Sequence, residues 1–283
     1  MMSKVTAEMV KELRERTGVG MGKCKEALDA CGGEMEKAID HLRKAGMASA
    51  VKKEGRDVNE GLIGHSESNA AVSLVEVNSE TDFVAQNDRF KQFIKDVAQD
   101  AADTTPASLD ALLGQTFSKD SSVTIDQYRA LTVQSLGENI RIKRMLVMPK
   151  SQDVSIGVYS HMNGKIVTAV TLTGGQGNEA FARELAMHVA AESPDFLNPE
   201  EVPADVKARE EDIAREQVKG KPANIADKIV EGKIKAYYDQ ACFVCQKYIK
   251  DNSMSVAEVV AAEAKKLGKN ITVQSFKRWK VGG

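Results

Sequence analysis

The sequence has 283 residues, enough for two or more domains with sizeable cores. Its formal net charge of -2 argues against a dedicated nucleic-acid-binding protein, because such proteins usually carry a strong basic excess. The four cysteines form no regular framework, and the sequence shows no secretory signal and no apolar run of membrane-spanning length. We therefore expect a cytoplasmic protein that contacts neither membranes nor nucleic acid directly.

A three-helix unit is predicted for residues 1–47. Apolar residues recur at helical spacing through three short segments, which end at glycine-containing breaks. The third helix is expected at 34–44, with Gly46 as its stop. The break at 18–21 is expected to form an exposed loop that offers backbone groups and the apolar side chain of Met21 to a partner.

The charge of the first 56 residues, which contain this three-helix head, differs from that of the remaining chain. Residues 1–56 contain 12 Lys and Arg against 9 Asp and Glu, a net charge of +3, so the rest of the chain carries -5. A mildly basic head on an acidic body suits docking to an acidic protein surface. Ordinary scatter of solvated charge explains the same numbers equally well.

Two similar blocks follow a small, charged segment at 48–59, which is expected to be a linker. The first block, at 60–150, contains a hairpin whose second strand, 71–77, alternates apolar and polar residues and predicts a half-buried strand. A turn and a helix over 88–102 come next, and the stretch at 103–119 is expected to be loosely structured. A further helix and a strand complete the block.

The second block, at 151–198 and 239–283, repeats this order of hairpin and helix. Asn163-Gly164 is a strong hairpin turn signal, and the following strand leads into a glycine-rich loop and a helix. The block ends with a helix that begins at a capping box, Ser255 to Glu258, and with an alternating strand. We interpret the two blocks as an internal ββα duplication.

Residues 199–238 interrupt the second block. Two helices are predicted on either side of a break that ends at Pro222, a residue that suits the first turn of a helix. Apolar residues at near-heptad spacing predict a short antiparallel coiled coil with this seam: Val206, Ile213, Ile225, Ile229, Gly232 and Ala236. The expected fold class is therefore α+β multidomain, with an N-terminal three-helix bundle, a duplicated ββα core and an antiparallel coiled-coil hairpin insertion.

The stretch at 76–90 contains the strongest candidate for a binding site. Polar residues at 78–82 signal a turn between strand and helix, and Phe83 and Val84 come too early to share the apolar stripe of the helix cleanly. An aromatic residue at such a turn can be presented outward on a rigid scaffold, where binding residues tend to lie. The alternative is that Phe83 closes the end of a local core and Asp82 caps the following helix.

Three segments resemble the elongation factor Ts family. Glu76-Val-Asn-Ser-Glu-Thr-Asp-Phe-Val-Ala85 is similar to one signature of that family, and Leu13-Arg-Glu-Arg-Thr-Gly-Val-Gly-Met-Gly-Lys-Cys-Lys-Glu-Ala-Leu28 is similar to another. A third resemblance lies at 136–144. Together with the order of the predicted elements, the resemblance covers nearly the whole chain.

This resemblance implies a non-enzymatic nucleotide exchange factor for elongation factor Tu in translation elongation. The head would then be a ubiquitin-associated-like domain that contacts the GTPase domain of the partner, and the core would contact a second domain. The resemblance implies that the Mg²⁺ and phosphate site of the partner is disturbed by Thr81, Asp82, Phe83 and Val84. It implies further partner contacts through these residues: Arg14, Gly20, Met21, Lys25, Leu136, Gly137 and His161. Self-association through the hairpin is also implied, with no cofactor, no metal and no catalytic residue.

Two other classes of function remain open. The first is a binding adapter that uses the head to recognise a ubiquitin-like or nascent chain, without exchange activity. The second is a thiol-redox protein that uses Cys242 and Cys245, although this pair follows a predicted helix and does not begin one beside a strand. A phosphate loop at 18–23 is rejected because the first glycine, the final Ser or Thr and the preceding strand are all missing. The four histidines lie in four different predicted elements, so no helical metal site is visible.

Overall fold

The computed structural model describes residues 5–283 and divides the chain into two compact units. The first four residues of the predicted three-helix unit lie outside the described residues. The first unit runs up to Pro149 and includes Met162–Lys165 and Lys280–Gly283, and the second contains Lys150–His161 and Ile166–Trp279. The described residues form eleven α-helices and small antiparallel sheets, so the mixed α and β class is as predicted.

The head of the first unit consists of helices α1 (Ala7–Thr17), α2 (Met21–Ala30) and α3 (Met35–Lys53). Gly18 ends α1 in the left-handed conformation, with φ of 64°. The three apolar faces meet in one small core: Val10, Leu13, Val19, Cys24, Ala27, Leu28, Ala38, Ile39 and Leu42. The burial of Val19 corrects the expectation that the loop at 18–21 is exposed throughout.

The sequence predicted that the third helix stops at Gly46, but helix α3 continues to Lys53. Gly46 is buried where α3 packs on α7 (Ile125–Leu136), and a Cβ atom there would lie 3.4 Å from the carbonyl oxygen of Ala130. This glycine therefore serves close helix packing and not helix termination. The segment predicted as a linker, 48–59, is helical through its first half, and Ala50 packs in the core of the first unit.

A three-stranded antiparallel sheet forms the centre of the first unit. Strand β2 (Ala71–Ser79) lies between β1 (Glu60–Glu67) and β5 (Ile140–Pro149). All nine residues of β2 are buried, so the prediction of a half-buried strand is wrong. The periodicity missed this because the polar residues of the strand have partners inside the protein.

The buried polar residues of β2 are individually compensated, as buried polar groups must be. The hydroxyl of Ser73 donates to the carbonyl oxygen of Ala98 at 2.6 Å. The Glu76 carboxylate, fully buried, accepts hydrogen bonds from Arg144 Nε at 2.7 Å and from the amide of Gly282 at 3.0 Å. These contacts fix β2, and with it the turn that follows.

The remaining elements of the first unit follow in order: α4 (Asp82–Gln86), α5 (Asp88–Thr104), α6 (Leu109–Gly114), β3 (Thr116–Phe117), β4 (Asp120–Thr124), α7 and β5. Helix α6 lies within the stretch at 103–119 that was expected to be loosely structured. Ser108 caps α6, and Leu112 is fully buried in the core of the unit, which corrects that expectation.

The second unit contains these elements: β6 (Val154–His161), β7 (Ile166–Thr173), α8 (Glu179–Glu192), α9 (Ala204–Glu216), α10 (Ala223–Ala241), β8 (Lys247–Tyr248), β9 (Asp251–Ser255), α11 (Val256–Leu267) and β10 (Val273–Lys280). Strand β7 lies between β6 and β10. The core of the unit packs around Leu172, Leu185 and Phe243.

The two units share an order of elements and several local contacts. In each, a central strand lies between the preceding strand and a strand from the end of the unit. Each short hairpin, β3–β4 and β8–β9, leads into a helix with a complete capping box, built on Thr124 in one unit and on Ser255 in the other. The buried hydroxyls of Ser73 and Thr168 both donate to a helix carbonyl oxygen.

Helices α9 and α10 form a hairpin that packs around Ala214, Val218 and Val230. This seam differs from the predicted one, because Ile213 and Ile225 are exposed by 43% and 47%.

Backbone hydrogen bonds close the base of this hairpin. The amides of Asp195 and Phe196 donate to the carbonyl oxygen of Ala241 at 2.9 and 3.1 Å, and the amide of Phe243 donates to the carbonyl oxygen of Phe196 at 2.8 Å. Entry and exit of the hairpin are therefore joined within the second unit.

His188 is a fully buried residue of α8. Its Nδ1 atom accepts a hydrogen bond from the amide of Ile249 at 3.3 Å, so Nε2 carries the proton and donates to Gln246 Oε1 at 2.9 Å. Burial lowers the pKa of His188 below its ordinary value, although the hydrogen bond to Gln246 acts in the other direction. His188 is thus a packed, neutral residue.

The lowered pKa of His188 predicts a pH-dependent stability. Between its folded-state pKa and the ordinary value of 6.5, the unfolded chain binds the proton more readily, so the free energy of unfolding falls as pH falls through that window. The contribution of one group is at most about 1.4 kcal/mol per pH unit. Urea unfolding between pH 7.5 and 5.5 should show a smaller pH slope in His188→Gln than in the parent. The exposed His161→Gln serves as the control, and an unchanged slope in His188→Gln would contradict the assignment.

Candidate functional site

An exposed aromatic side chain lies on a short, anchored turn after β2. Thr81 begins α4 by accepting a hydrogen bond from the amide of Val84 at 3.4 Å. Val84 and Ala85 are buried, whereas the Phe83 side chain is 84% exposed and Asp82 is exposed beside it. The short helix therefore presents Phe83 to solvent while its inner face is packed.

This geometry contradicts the alternative in which Phe83 closes a local core. Asp82 does not cap the following long helix either, because the side chain of Asn87 does so, accepting from the amide of Arg89 at 2.9 Å. An exposed large aromatic on a rigid element is a typical anchor of protein–protein interfaces.

The Glu138 carboxylate holds this turn from outside the helix. Glu138 Oε2 accepts a hydrogen bond from the Thr81 amide at 3.0 Å, and Oε1 accepts one from the Thr81 hydroxyl at 2.5 Å. Next to it, Glu80 Oε1 accepts a hydrogen bond from the Asn139 amide at 2.6 Å and pairs with Arg56 at 3.3 Å. The segment after α7 is thus attached to the turn by two acidic side chains.

The head places its candidate contact residues around the start of α2. Met21 is 54% exposed, and Arg14, Gly20 and Lys25 are exposed as well. Lys25 Nζ lies 3.5 Å from the carboxylate of Asp29 on the same helix, an exposed pair of small energetic weight.

Side chains of the core hold this part of the head in place. The guanidinium of Arg89 donates to the carbonyl oxygen of Thr17 at 2.6 Å, and the hydroxyl of Ser135 donates to the carbonyl oxygen of Gly18 at 2.8 Å. Ser135 is next to Leu136, which is partly buried against the core, and Gly137, which ends α7 with φ of 83°. Hydrogen bonds within the first unit therefore connect the three predicted contact segments, which are the loop at 18–21, the stretch at 76–90 and the segment at 136–144.

His161 belongs to the second unit, at the end of β6. It is exposed, and its Nδ1 atom lies 3.2 Å from the hydroxyl of Tyr159.

Residues with structural importance for the site were missed by the sequence analysis. Arg89 and Ser135 gave no signal, because a single Arg or Ser on an amphipathic helix resembles any solvated side chain. Glu138 lies inside the segment at 136–144 that carried the third resemblance, and Glu80 lies inside the first signature, so both could have been singled out there.

The described residues contain no group of three or more His, Cys, Asp or Glu side chains placed to hold a metal ion. Residues 18–20 connect α1 to α2 and residues 21–23 begin α2, so this segment follows a helix, whereas a phosphate loop follows a strand.

The cysteine pair lacks the environment of an activated thiol. Cys242 is fully buried, and burial, with a smaller effect of Cys245, raises the pKa of Cys242 to about 11. Burial also raises the pKa of Cys245. Redox-active cysteines have lowered thiol pKa values, so this geometry disfavours thiol-redox chemistry.

Known proteins match the chain closely. A family model described as elongation factor TS matches residues 80–283. Over 281 residues, the chain is 57% identical to elongation factor Ts of Protochlamydia amoebophila and 44% identical to that of Chlamydia caviae, covering 99% of this chain and 100% of each relative. These matches place the chain among the elongation factors of protein biosynthesis. It belongs to the elongation factor Ts family.

No helix among residues 5–283 combines the length and the apolar character needed to cross a membrane.

Replacing Glu138 tests whether its carboxylate orders the turn. Glu138→Ala should lower the free energy of unfolding by about 1–2 kcal/mol, because two hydrogen bonds to a charged, partly buried acceptor are lost. Glu138→Gln keeps one oxygen acceptor and should lose less. Hydrogen exchange of the amides at 81–86 should accelerate in Glu138→Ala, and the exposed Glu231→Ala is the control. Unchanged exchange at 81–86 would show that the turn is ordered without Glu138.

The buried Cys242 thiol should react slowly. A thiol pKa of about 11 in place of 9.0 reduces the thiolate fraction near neutral pH about a hundredfold. Alkylation of Cys242 by iodoacetamide at pH 7.5, followed by mass spectrometry in a Cys24→Ser, Cys31→Ser background, should be slower than that of free cysteine by at least this factor. Reaction at the rate of free cysteine would contradict the buried, inactive assignment.

Proposed function

We propose that this chain accelerates GDP release from elongation factor Tu during translation elongation. It acts as a binding protein in the cytoplasm and not as an enzyme, and it uses no cofactor and makes no direct contact with nucleic acid or membrane. Membership of the elongation factor Ts family supports the choice of partner. The observation that carries the proposal is the 84% exposure of Phe83 on a turn held by Glu138.

Thermodynamic linkage sets the requirement for such a factor. It must bind the nucleotide-free partner more tightly than the GDP-bound partner, so that factor and nucleotide weaken each other's binding by the same ratio. Contacts that form only when the nucleotide site is disturbed supply this difference, because uniform binding shifts no equilibrium.

The Phe83 turn is suited to supply these contacts. In our proposal Phe83 enters the GTPase domain of the partner as an apolar anchor, and Asp82 adds charge and hydrogen bonding beside the Mg²⁺ and phosphate site. Thr81 caps the start of the helical turn, and Val84 packs the inner face of the turn against the core. A rigid turn loses little conformational entropy on binding, so more of the contact energy remains to displace Mg²⁺.

Further contacts complete the proposed interface. The head contributes Arg14, Gly20, Met21 and Lys25 to the contact with the GTPase domain, and Leu136, Gly137 and His161 contribute through the core, which also reaches a second domain of the partner. The finer organisation is proposed with the function: a ubiquitin-associated-like head at 1–47, core halves at 60–150 and at 151–198 with 239–283, and a coiled-coil hairpin at 199–238 that supports self-association.

Neither alternative class gains support from the geometry. An independent adapter head would need no fixed orientation, yet Arg89 and Ser135 bind the head to the core. The raised thiol pKa values of Cys242 and Cys245 disfavour redox chemistry.

Phe83→Ala should slow factor-stimulated GDP release without unfolding the chain. Truncating an aromatic hot spot at an interface costs on the order of 2 kcal/mol or more. If the contact forms chiefly in the transition state for release, this corresponds to a roughly thirty-fold loss of rate. The free energy of unfolding should change by less than about 0.5 kcal/mol, because the side chain is exposed. Fluorescent GDP release from elongation factor Tu and urea unfolding measure the two quantities.

Two variants serve as controls for this experiment. Leu267→Ala removes another exposed apolar side chain, from α11, and should leave release unchanged. Asp82→Ala should give a smaller release defect than Phe83→Ala, again with parental stability. Undiminished release per folded molecule in Phe83→Ala would refute the proposed role of the turn.

A further inference from the structure

We propose that Arg89 and Ser135 are positioning residues that orient the head so that Met21 and the Phe83 turn bind one partner molecule together. The inference rests on the proposed function and deepens it. Arg89 and Ser135 make none of the proposed partner contacts, but they hold the backbone that leads to Met21. The Arg89 guanidinium, the Ser135 hydroxyl and the carbonyl oxygens of Thr17 and Gly18 are called the junction below.

The junction satisfies groups that α1 cannot satisfy itself. The last carbonyl groups of a helix have no partner within it, and the negative end of the helix dipole lies there. Thr17 is the last residue of α1, and its carbonyl oxygen accepts the bond from Arg89 at 2.6 Å. Ser135 serves the next carbonyl oxygen, that of Gly18, at 2.8 Å. Two side chains of the core thus cap the end of a head helix.

The backbone of Gly18 is shaped to admit the guanidinium. A Cβ atom at this position would lie 1.3 Å from Nη1 of Arg89 and would displace the guanidinium from its present position, and the φ of 64° at Gly18 also favours glycine. The guanidinium is partly buried, and this burial lowers the pKa of Arg89, with Tyr128 acting in the other direction. Desolvating a cation is costly, and hydrogen bonding to carbonyl oxygens at a helix C-terminus offsets the cost.

The junction supplies a second point of attachment for the head. Helix α3 provides the first, because Gly46 and Ala50 pack it against the core. Attachment along one helix alone would leave the head, whose three helices share one core, free to pivot about that helix. With Arg89 and Ser135 in place on the other side, the loop that leads to Met21 has a defined orientation.

The same segment of chain also reaches the Phe83 turn. Ser135 binds Gly18, and three residues later Glu138 binds Thr81 through both of its carboxylate oxygens. The spacing between Met21 and Phe83 is therefore set by the core and does not depend on a flexible tether. Two contacts held at the correct spacing reinforce each other, because the second forms at a high effective concentration once the first has formed.

The test is a cycle of substitutions in the full chain, read by titration of elongation factor Tu loaded with fluorescent GDP. Arg89→Ala should raise the half-saturating factor concentration about tenfold, through loss of effective concentration, while the saturated release rate stays within about twofold. Ser135→Ala, a milder change, should act in the same direction. In a Met21→Ala background, Arg89→Ala should have an effect of about twofold or less, because the head contact is already weakened.

The matched control is Arg129→Ala. Arg129 also donates to a backbone carbonyl oxygen, that of Ile140 at 3.0 Å, but within the core. Arg129→Ala should change the half-saturating factor concentration by the same factor in the parent and in the Met21→Ala background. Hydrogen exchange of the free chain gives an independent readout: Arg89→Ala should accelerate exchange at 14–24 and leave 71–79 unchanged.

Two results would overturn the proposal. The first is an equal effect of Arg89→Ala in the parent and Met21→Ala backgrounds, which would mark Arg89 as a residue of general stability. The second is unchanged exchange at 14–24. A parent chain that does not accelerate GDP release would instead overturn the proposed function. The hydrogen-exchange comparison is made on the free chain without elongation factor Tu, so it separates that failure from a failure of the junction.

Discussion

The Glu138 carboxylate binds both the amide and the hydroxyl of Thr81, and through them it fixes the start of the Phe83 turn. Helix α4 has five residues, far fewer than a helix needs to be stable alone, because nucleation fixes several backbone angles for each hydrogen bond gained. The Thr81 cap and the burial of Val84 and Ala85 supply part of the compensation. Glu138, and the hydrogen bond between the Asn139 amide and Glu80, add to it from the segment that follows α7, so the turn depends on the tertiary structure of the first unit.

A rigid turn explains how an exposed aromatic side chain can be useful. Exposing the Phe83 side chain to water is unfavourable in the free protein, and burying it against a partner therefore contributes favourable free energy to binding. Preorganisation makes the return larger, since neither backbone nor neighbouring side chains need to be ordered at the moment of binding. The fully buried strand before the turn contributes to the same end, because Arg144 and the Gly282 amide hold its Glu76 carboxylate in place.

Local rules predicted much of the fold, and long-range contacts account for what was missed. The capping box at Ser255 is present as predicted, because the cap and its partner are three residues apart. Gly46 was misassigned because a glycine that ends a helix and one that lets two helices approach look alike in sequence. The exposure of Phe83 could not be derived from periodicity, because it depends on how α4 packs on the core. The role of Arg89 depends on a carbonyl oxygen 72 residues away, which no local pattern encodes.

The closed base of the α9–α10 hairpin has an evolutionary consequence. The hairpin occupies the interval between α8 and β8, whose counterpart in the first unit holds only the short helix α6. Backbone hydrogen bonding between Phe196 and Ala241 joins the two ends of the hairpin. The packing of the second unit therefore depends on this closed base and only weakly on the length of the hairpin that extends from it. The hairpin can therefore change in length or surface without disturbing the residues that pack the second unit, so selection can act on the two separately.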